Sequence, residues 1–428
     1  MIDHAKIKNI LVIRPDAIGD LVLTLPAIQA LRENFPSARI TALIRAYTRP
    51  VLDCSSAVDN IIYGYDIKRY GFDLSVNYFN QFKDTFATYS AGIPQRLGDS
   101  SRVLTAWMNN LKVFRDWNDF TRHEVEFNLD LLAPLGIKSQ QVKPLLKPTP
   151  AALTKANQLI GNDRYFGIHV GSATSKSWDE KGFAELAAWL AGKGKVALLG
   201  GPAEIAKGEN VAKLAKVPLL NLVGKIELAE LIALISRLEF FVGMDTGATH
   251  LAAAFGKPLV MICLNKKAKP LRWGPWQTRH LVAVPAGDEL AAGEVITAVG
   301  TVLKGGGVST REDSLYHWAE RSLGIAIIHD DNNLMRAVKV SNLLTAGGFR
   351  NYVTKESGIR PLLDFFVKND TLVIHRIGKA GGFAPFIAQQ LTGSYMASRA
   401  VLFNDPGREY KDSKELIGFY FGRARNGK

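Results

Sequence analysis

The chain has 428 residues, of which 47% are hydrophobic and 22% charged, and its formal net charge is +13. This length predicts two or three domains, and the composition excludes wholesale disorder and fibrous repeats. Two cysteines, Cys54 and Cys263, exclude a disulfide scaffold and a cysteine-based zinc site. The positive charge is spread along the chain. It fits an anionic partner (a nucleotide, a phosphorylated lipid, a membrane surface or a nucleic acid) without choosing among them.

The N-terminus does not resemble a signal peptide, because its apolar run at 10–13 is short and is followed at once by Arg14 and Asp16. No stretch approaches the roughly 18 apolar residues that a membrane span needs. We therefore expect a cytoplasmic protein, peripheral at most to the inner face of the cytoplasmic membrane.

Short apolar runs alternate with amphipathic stretches, a pattern that predicts βαβ units and parallel sheets. A first α/β domain is predicted over residues 1–145, with strands at 10–13, 38–44, 60–63 and 74–77 and helices at 21–34 and 122–134. The segment 142–153 (VKPLLKPTPAAL) indicates a linker. A second domain is predicted over 151–304, with strands at 165–169, 195–199, 240–242, 259–262 and 280–283 and helices near 181–192, 203–215, 227–237, 246–255 and 288–303.

The glycine-rich run 304–309 (KGGGVS) predicts a further boundary, followed by a small α/β domain over 310–428. Its expected elements are strands at 325–329 and 371–375, a segment around 351–354, and helices near 332–346 and 358–367. Two α/β sheets joined by a linker imply a cleft, and open α/β sheets bind ligands at the carboxyl ends of their strands.

The turn after the first strand contains Arg14, Asp16, Gly19 and Asp20. Position alone favours Asp20 as the N-cap of the following helix. The alternative is a carboxylate at the mouth of the cleft that takes a proton from a substrate hydroxyl, with Gly19 allowing a ligand to approach closely.

Three strand ends of the second domain carry groups suited to an anionic, sugar-containing ligand. Each has a plain alternative: a strand–helix junction capped by Asp245 with an inward-packing histidine, a polar surface loop, or a carboxylate that stabilises a helical turn. Together they favour a nucleotide-binding domain facing an acceptor domain. The residues concerned are Gly171, Ser172, Lys176, Glu204, Asp245, Thr246, Gly247 and His250.

Two segments resemble glycosyltransferase family 9, the bacterial lipopolysaccharide heptosyltransferases. They are IRPDAIGDLVLTLPAIQALRENFPSARI and GMDTGATHLAAAFGKPLV, the second of which matches the pattern D-[ST]-G-x-x-H-x-A-A. HVGSATSKSW and GGPAE follow in the expected order, so that the resemblance covers residues 7–303. Members often have F-G-P-T after the strand corresponding to 259–262, whereas here only WGP at 273–275 is similar. Residues 310–428 have no counterpart.

The resemblance implies a GT-B fold, with two Rossmann-like domains facing across a cleft, and inverting, metal-independent sugar transfer. The donor would be a nucleotide sugar, with ADP-heptose expected, and no cofactor or nucleic acid is implied. Asp20 corresponds to the general base and Lys176 to a lysine on the donor diphosphate. Asp245, Thr246, Gly247 and His250 correspond to the element around the nucleotide sugar, and Glu204 corresponds more loosely to a ribose contact.

The implied acceptor is an anionic glycolipid of the lipopolysaccharide core. Lys112, Arg115 and Arg122 are candidates to bind its phosphates or carboxylates, but the pattern favours a solvated helix face for these three cations. Two other functions stay open: a sugar transferase acting on a protein or another glycan (or a GT-B epimerase), and a non-catalytic protein that binds nucleotide sugars or glycans.

Overall fold

The computed structural model describes residues 3–117, 122–138, 144–173, 177–264, 270–285 and 289–308, together with four strands in the C-terminal region. The chain divides into two compact units, Met1–Thr310 and Arg311–Lys428.

The first sheet contains six parallel strands with helices between them. Its strands are β1 (Asn9–Ile13), β2 (Arg39–Leu43), β3 (Asn60–Ile62), β4 (Leu74–Asn77), β5 (Gln95–Asp99) and β6 (Leu111–Val113). The helices are α1 (Ile18–Asn34), α2 (Arg49–Leu52), α3 (Phe82–Ser90), α4 (Val103–Ala106) and α5 (Glu124–Asp130). The strands lie in the order β3-β2-β1-β4-β5-β6. Ile10–Ile13 of β1 are fully buried, as is usual for a central parallel strand that helices cover on both faces.

The second sheet repeats this arrangement. Its strands are β7 (Tyr165–His169), β8 (Lys195–Leu199), β9 (Leu220–Asn221), β10 (Phe240–Met244), β11 (Leu259–Ile262) and β12 (His280–Ala283). The helices are α6 (Pro150–Ile160), α7 (Glu180–Ala191), α8 (Ile205–Ala215), α9 (Leu228–Arg237), α10 (Gly247–Ala254), α11 (Pro270–Trp273) and α12 (Ala292–Leu303). The strand order is β12-β11-β10-β7-β8-β9. In both sheets the first strand pairs with the fourth, so each has a topological switch point, at β1/β4 and at β7/β10.

The sequence-predicted strands of both sheets are confirmed, and those at 74–77, 165–169, 195–199, 259–262 and 280–283 have the predicted bounds. Strands β5, β6 and β9 were not predicted, because they are short or polar and contain no apolar run. Helix α6 begins inside the predicted linker. Pro150 occupies its first turn and Thr149 Oγ1 accepts a hydrogen bond from the Ala152 N–H, so the proline starts a helix there.

The C-terminal unit contains a parallel four-stranded sheet. Its strands are β13 (Leu323–His329), β14 (Arg350–Lys355), β15 (Thr371–Ile377) and β16 (Ala400–Asp405), in the order β14-β13-β15-β16. The strands expected at 325–329 and 371–375 are confirmed, and the segment at 351–354 is a strand. Strand β16 was not predicted from the sequence. The helices expected near 332–346 and 358–367 lie outside the described residues.

One hydrophobic core runs through the helices that join the two six-stranded sheets. It includes Leu21 and Ile28 of α1, Leu251 of α10 and Ile232 of α9, all of them fully or almost fully buried. Because α1 follows β1 and α10 follows β10, this shared core sets the two switch points beside each other. None of the described helices is long and apolar enough to span a membrane.

Candidate active site

The motifs singled out in the sequence follow strands that form the two switch points. Asp20 comes shortly after β1, while Gly171 and Ser172 follow β7, and Asp245 and Thr246 follow β10. Ligands of doubly wound sheets bind at such points, because the loops there separate to opposite faces of the sheet and leave a crevice. The topology therefore brings the predicted acceptor-side and donor-side residues to the ligand-binding edges of their sheets.

Helices α1 and α10 touch at two glycines. A Cβ atom at Gly19 would lie 2.9 Å from Cδ2 of His250, and a Cβ at Gly247 would lie 2.7 Å from the Ile18 side chain. Real Cβ contacts are essentially never this short, so neither position accommodates a larger residue without displacement. The residue preceding Asp20 therefore packs directly against the first turns of α10.

Asp20 is not the N-cap of α1, which corrects the reading favoured from its position. The helix begins three residues earlier than predicted, and its N-cap is Ala17, which makes no side-chain capping hydrogen bond. Asp20 lies in the first turn instead, and its Oδ1 accepts a hydrogen bond of 3.0 Å from Arg14 Nη2. The side chain is 27% exposed. Its carboxylate is thus held by an arginine and remains open to a ligand.

Arg14 is the buried partner that positions Asp20. Its Nη1 donates a 2.6 Å hydrogen bond to the Tyr78 carbonyl, which joins the ends of β1 and β4. Its Nη2 also lies 3.5 Å from Oε1 of Glu124, a carboxylate that is 1% exposed. Burial alone would raise the pKa of Glu124, but Arg115 and Arg14 outweigh burial and hold that pKa below its ordinary value.

Asp16 is a second carboxylate beside Arg14, with 3.1 Å between Oδ1 and Arg14 Nε. Burial raises the pKa of Asp16 to about 7; Arg14 opposes this and Asp20 adds to it. Arg14 therefore faces three carboxylates, those of Asp16, Asp20 and Glu124. Of these, Asp16 changes between its protonated and its ionised form near neutral pH.

The first turn of α10 presents polar atoms that no described residue satisfies. Thr246 is the N-cap, but its hydroxyl caps no N–H group, and Thr246 Oγ1 and His250 Nδ1 are both buried without a hydrogen-bond partner in the described part of the chain. His250 Nε2 lies 3.4 Å from Oδ1 of Asp245, which is 39% exposed. Asp245 does not cap the helix, so that part of the plain interpretation is wrong, whereas His250 is 4% exposed and packs inward as the same interpretation expected. The first N–H groups of α10 have no side-chain cap, and a helix N-terminus of this kind favours an anion.

The ends of β7 and β8 bring Gly171 and Glu204 together, since a Cβ at Gly171 would lie 3.5 Å from Glu204 Cδ. Glu204 Oε2 accepts a 2.8 Å hydrogen bond from the Gly201 N–H, so this oxygen stabilises its own turn, as the plain reading expected. Ser172 is half-buried on the same loop. Lys176 lies outside the described residues.

Lys207 of α8 was missed in the sequence. Its Nζ donates hydrogen bonds to Ser177 Oγ and to the Trp178 carbonyl, the latter at 2.9 Å, and burial lowers its pKa. It thereby anchors the end of the loop that begins at Gly171. No local pattern marks this lysine, because its partners lie about 30 positions away.

The three predicted acceptor cations are not on one solvated helix face. Lys112 is exposed on the edge strand β6, whereas Arg115 is buried and paired with Glu124, and Arg122 is half-buried and paired with Asp130. Arg115 is therefore neutralised inside the protein, where a free acceptor contact was expected. Both arginines line a shallow recess at the ends of β4, β5 and β6, with Phe114 and Trp117 on its wall.

Arg272 connects the second sheet to this network. Its Nε lies 3.2 Å from Glu124 Oε2, and its Nη1 donates a 3.0 Å hydrogen bond to the Trp117 carbonyl. The guanidinium also stacks on the rings of Trp117 and Phe127, with 5.0 and 4.9 Å to the centroids. Arg272 directly precedes WGP at 273–275, the part of this region that is similar to the family pattern, and it reaches the Asp20–Arg14 pair through Glu124.

Among the described residues, no group of three His, Cys, Asp or Glu side chains is placed to hold a metal ion.

Two facing doubly wound sheets with a polar switch point in each are the architecture of the GT-B class. Residues 63–289 match the family model described as glycosyltransferase family 9 (heptosyltransferase). The chain belongs to this family and is a glycosyltransferase, as the resemblance implied.

Curated relatives include lipopolysaccharide heptosyltransferase 3 of Escherichia coli, 28% identical over 299 residues, covering 63% of this chain and 86% of the relative. Lipopolysaccharide heptosyltransferase 2 of E. coli K12 is 24% identical over 290 residues, 59% of this chain and 82% of the relative.

Solved structures show the same fold. A family 9 glycosyl transferase from Veillonella parvula superposes with a TM-score of 0.63 at 20% identity, covering 70% of this chain and 98% of that one. The ADP-heptose lipopolysaccharide heptosyltransferase II of E. coli gives 0.60 at 21% identity, with coverages of 69% and 99%.

The contact between α1 and α10 can be tested with Gly247→Ala. Because the added methyl collides with Ile18, we expect a loss of roughly 1–3 kcal/mol in unfolding free energy, measured by urea denaturation. Gly293→Ala is the control, since a Cβ there meets no atom within 4 Å and the residue is also in the first turn of a helix. Equal stability of the two variants would show that the helices do not depend on this close approach.

Asp16 should make stability depend on pH. Its pKa is near 4 in the unfolded chain and about 7 in the folded protein, so between these values only the folded state binds the proton. Stability therefore falls as pH rises through this window. In Asp16→Asn that fall is absent, and its unfolding free energy relative to wild type should rise by about 2 kcal/mol between about pH 5 and about pH 8. Parallel stability curves would show that Asp16 is ionised throughout.

Proposed function

We propose that this protein is an inverting, metal-independent heptosyltransferase that transfers heptose from ADP-heptose to a lipopolysaccharide core acceptor. The observation that supports the proposal is the close approach of Gly19 to His250, because Gly19 precedes Asp20 in the first turn of α1 and His250 belongs to the helix whose N-terminus has no side-chain cap. The curated relatives are lipopolysaccharide heptosyltransferases, and one structure of the same fold is the E. coli heptosyltransferase WaaC with ADP-2-deoxy-2-fluoro heptose.

In this proposal the first domain, residues 1–145, binds the acceptor and the second, residues 151–304, binds the nucleotide sugar. The extension at 310–428 is a separate small α/β domain without an assigned role. The nucleotide sugar is a substrate, so the reaction requires no bound cofactor. The acceptor is an anionic glycolipid, which places the enzyme in the cytoplasm at the inner face of the membrane.

Asp20 acts as the general base. Its carboxylate accepts the proton of an acceptor hydroxyl while that oxygen attacks the anomeric carbon of heptose from the face opposite the diphosphate. The bond between the anomeric carbon and the diphosphate oxygen breaks, so the configuration inverts and the electron pair leaves on ADP. Arg14 fixes the orientation of the base, and Glu124 fixes Arg14.

Negative charge grows on the departing diphosphate and needs positive partners. The N–H groups of Thr246 and Gly247 and the dipole of α10 supply them, the buried hydroxyl of Thr246 offers a further donor, and Lys176 adds a point charge. Gly171 and Ser172 line the same site, and Glu204 and Asp245 accept hydrogen bonds from sugar hydroxyls. His250 Nδ1, buried and without a partner among the described residues, is a further contact for the diphosphate.

Acceptor binding belongs to the recess at the ends of β4, β5 and β6. Arg122 is 25% exposed there and Lys112 is exposed on the neighbouring edge, so both can meet an anionic group. Arg115 instead shapes the recess, because Glu124 already neutralises it. Trp117 offers a ring on which a sugar face can pack.

Asp20→Asn tests the base directly. The amide keeps the size and the contact region of the side chain but cannot take a proton, so kcat should fall by at least about 100-fold, while ADP affinity measured by calorimetry stays unchanged. Glu33→Gln, at the opposite end of α1, is the matched control and should transfer heptose at the wild-type rate. Transfer by the Asp20 variant at that rate would remove the assignment.

Lys176→Ala tests the leaving-group contact. Loss of the cation should weaken ADP-heptose binding and also lower kcat, by roughly 10-fold or more in kcat/KM, because the charge on the diphosphate grows in the transition state. Lys181→Ala removes an exposed lysine from α7 five positions later and should leave both constants unchanged. Identical kinetics for the two variants would identify Lys176 as a surface residue.

A further inference from the structure

An apolar surface is exposed on one side of the first domain. Of the twelve large hydrophobic side chains exposed in the described part of the chain, seven lie between residues 82 and 114. They are Phe82, Phe86, Tyr89, Val103, Leu104, Trp107 and Phe114. We call this set the 82–114 surface. Soluble proteins seldom gather so many apolar side chains at one place, and such a patch marks an interaction site.

Ring contacts join four members of this surface. Phe82 and Phe86 stack on one face of α3 with 5.7 Å between ring centroids, and Tyr89 of the same helix meets Trp107, just after α4, edge to face at 5.1 Å. The side chains of Val103 and Leu104 are 84% and 73% exposed, so they project from the protein and pack against almost nothing.

Within residues 81–114 the exposed charges have one sign. The exposed charged residues between 81 and 114 are Lys83, Arg102 and Lys112, all basic. The two acidic residues of the segment, Asp84 and Asp99, are 1% and 4% exposed and bond to groups inside the fold. Exposed apolar side chains interspersed with cations are typical of a surface that enters the interface of an anionic bilayer.

The surface also adjoins the acceptor recess. Phe114 is 72% exposed and at the same time lines the recess that holds Arg115 and Arg122. Arg102 reaches from the surface toward the recess, with its guanidinium 5.8 Å from the ring centroid of Trp117. A ligand anchored in a membrane under the 82–114 surface would therefore present its polar end at the recess.

We propose that the 82–114 surface docks the enzyme on an anionic phospholipid bilayer, with Val103, Leu104 and Trp107 entering the interface and Lys83, Arg102 and Lys112 meeting the lipid headgroups. A second copy of the chain fits less well, because a two-fold contact would bring the same cations against each other. The proposal uses the proposed function only to explain why docking is useful; binding to lipid stands by itself.

The test is co-sedimentation of the full chain with vesicles of phosphatidylcholine alone or mixed with phosphatidylglycerol. Wild type should bind the mixed vesicles, more weakly at high salt, and bind neutral vesicles poorly. Val103→Ser with Leu104→Ser should reduce binding at least about 10-fold, because the lost contacts are apolar. Lys83→Gln with Arg102→Gln should give a comparable loss and a weaker salt dependence.

The matched control is Ile205→Ser with Leu214→Ser, which removes two exposed apolar side chains of α8, 42% and 44% exposed, and should bind like wild type. Thermal unfolding verifies that each variant is folded. The Val103/Leu104 variant should also retain transfer to a water-soluble, delipidated acceptor. This assay tests the transferase proposal without a membrane, whereas vesicle binding tests docking alone, so the two proposals can fail independently.

Three results would overturn the proposal. The first is no binding of wild type to the mixed vesicles. The second is equal binding by wild type and the Val103/Leu104 variant. The third is a wild-type dimer in light scattering that this variant converts to a monomer, which would assign the surface to a second copy.

Discussion

The close approach of two helix starts, at Gly19 and Gly247, is the constraint on which the site depends. A Cβ atom at either glycine would lie within 3 Å of His250 or Ile18, so the two helices could not keep this approach without a displacement. Asp20 is the next residue after Gly19, and the open N–H groups of α10 begin at Gly247. The contact therefore packs the first turn of α1, which carries Asp20, against the uncapped first turn of α10.

A buried charge network stabilises the acceptor side of that edge. Glu124 is surrounded by Arg14, Arg115 and Arg272, which come from the end of β1, the end of β6 and the second sheet. Burial disfavours the charged form of Glu124, and each of the three guanidinium groups offsets part of that cost. The network thus couples the orientation of Asp20 to the position of the segment at Arg272.

Much of the fold could be predicted because central parallel strands are continuous apolar runs, and β4, β7, β8, β11 and β12 have their predicted bounds. Edge strands such as β6 and β9 carry few apolar residues, so periodicity does not reveal them. Among the site residues, Asp20, Gly171 and Thr246 come shortly after β1, β7 and β10, and the alternation of strands and helices in the sequence predicted these positions. The outcome for Asp20 differs from the expected N-cap because α1 starts earlier.

Local sequence by itself determined where most of the central strands lie and which motifs follow them, because both depend on neighbours a few positions away. The close approach at Gly19 and Gly247 and the missing side-chain cap of α10 were decided by the tertiary structure. Only the tertiary structure decided that Arg14 holds Asp20, that Glu124 neutralises Arg115, and that Arg272 crosses from the other sheet. These pairings join groups up to about 150 positions apart. Burial removes the water around a charged group and makes a partner of opposite charge necessary, but the sequence does not indicate which distant residue that partner is.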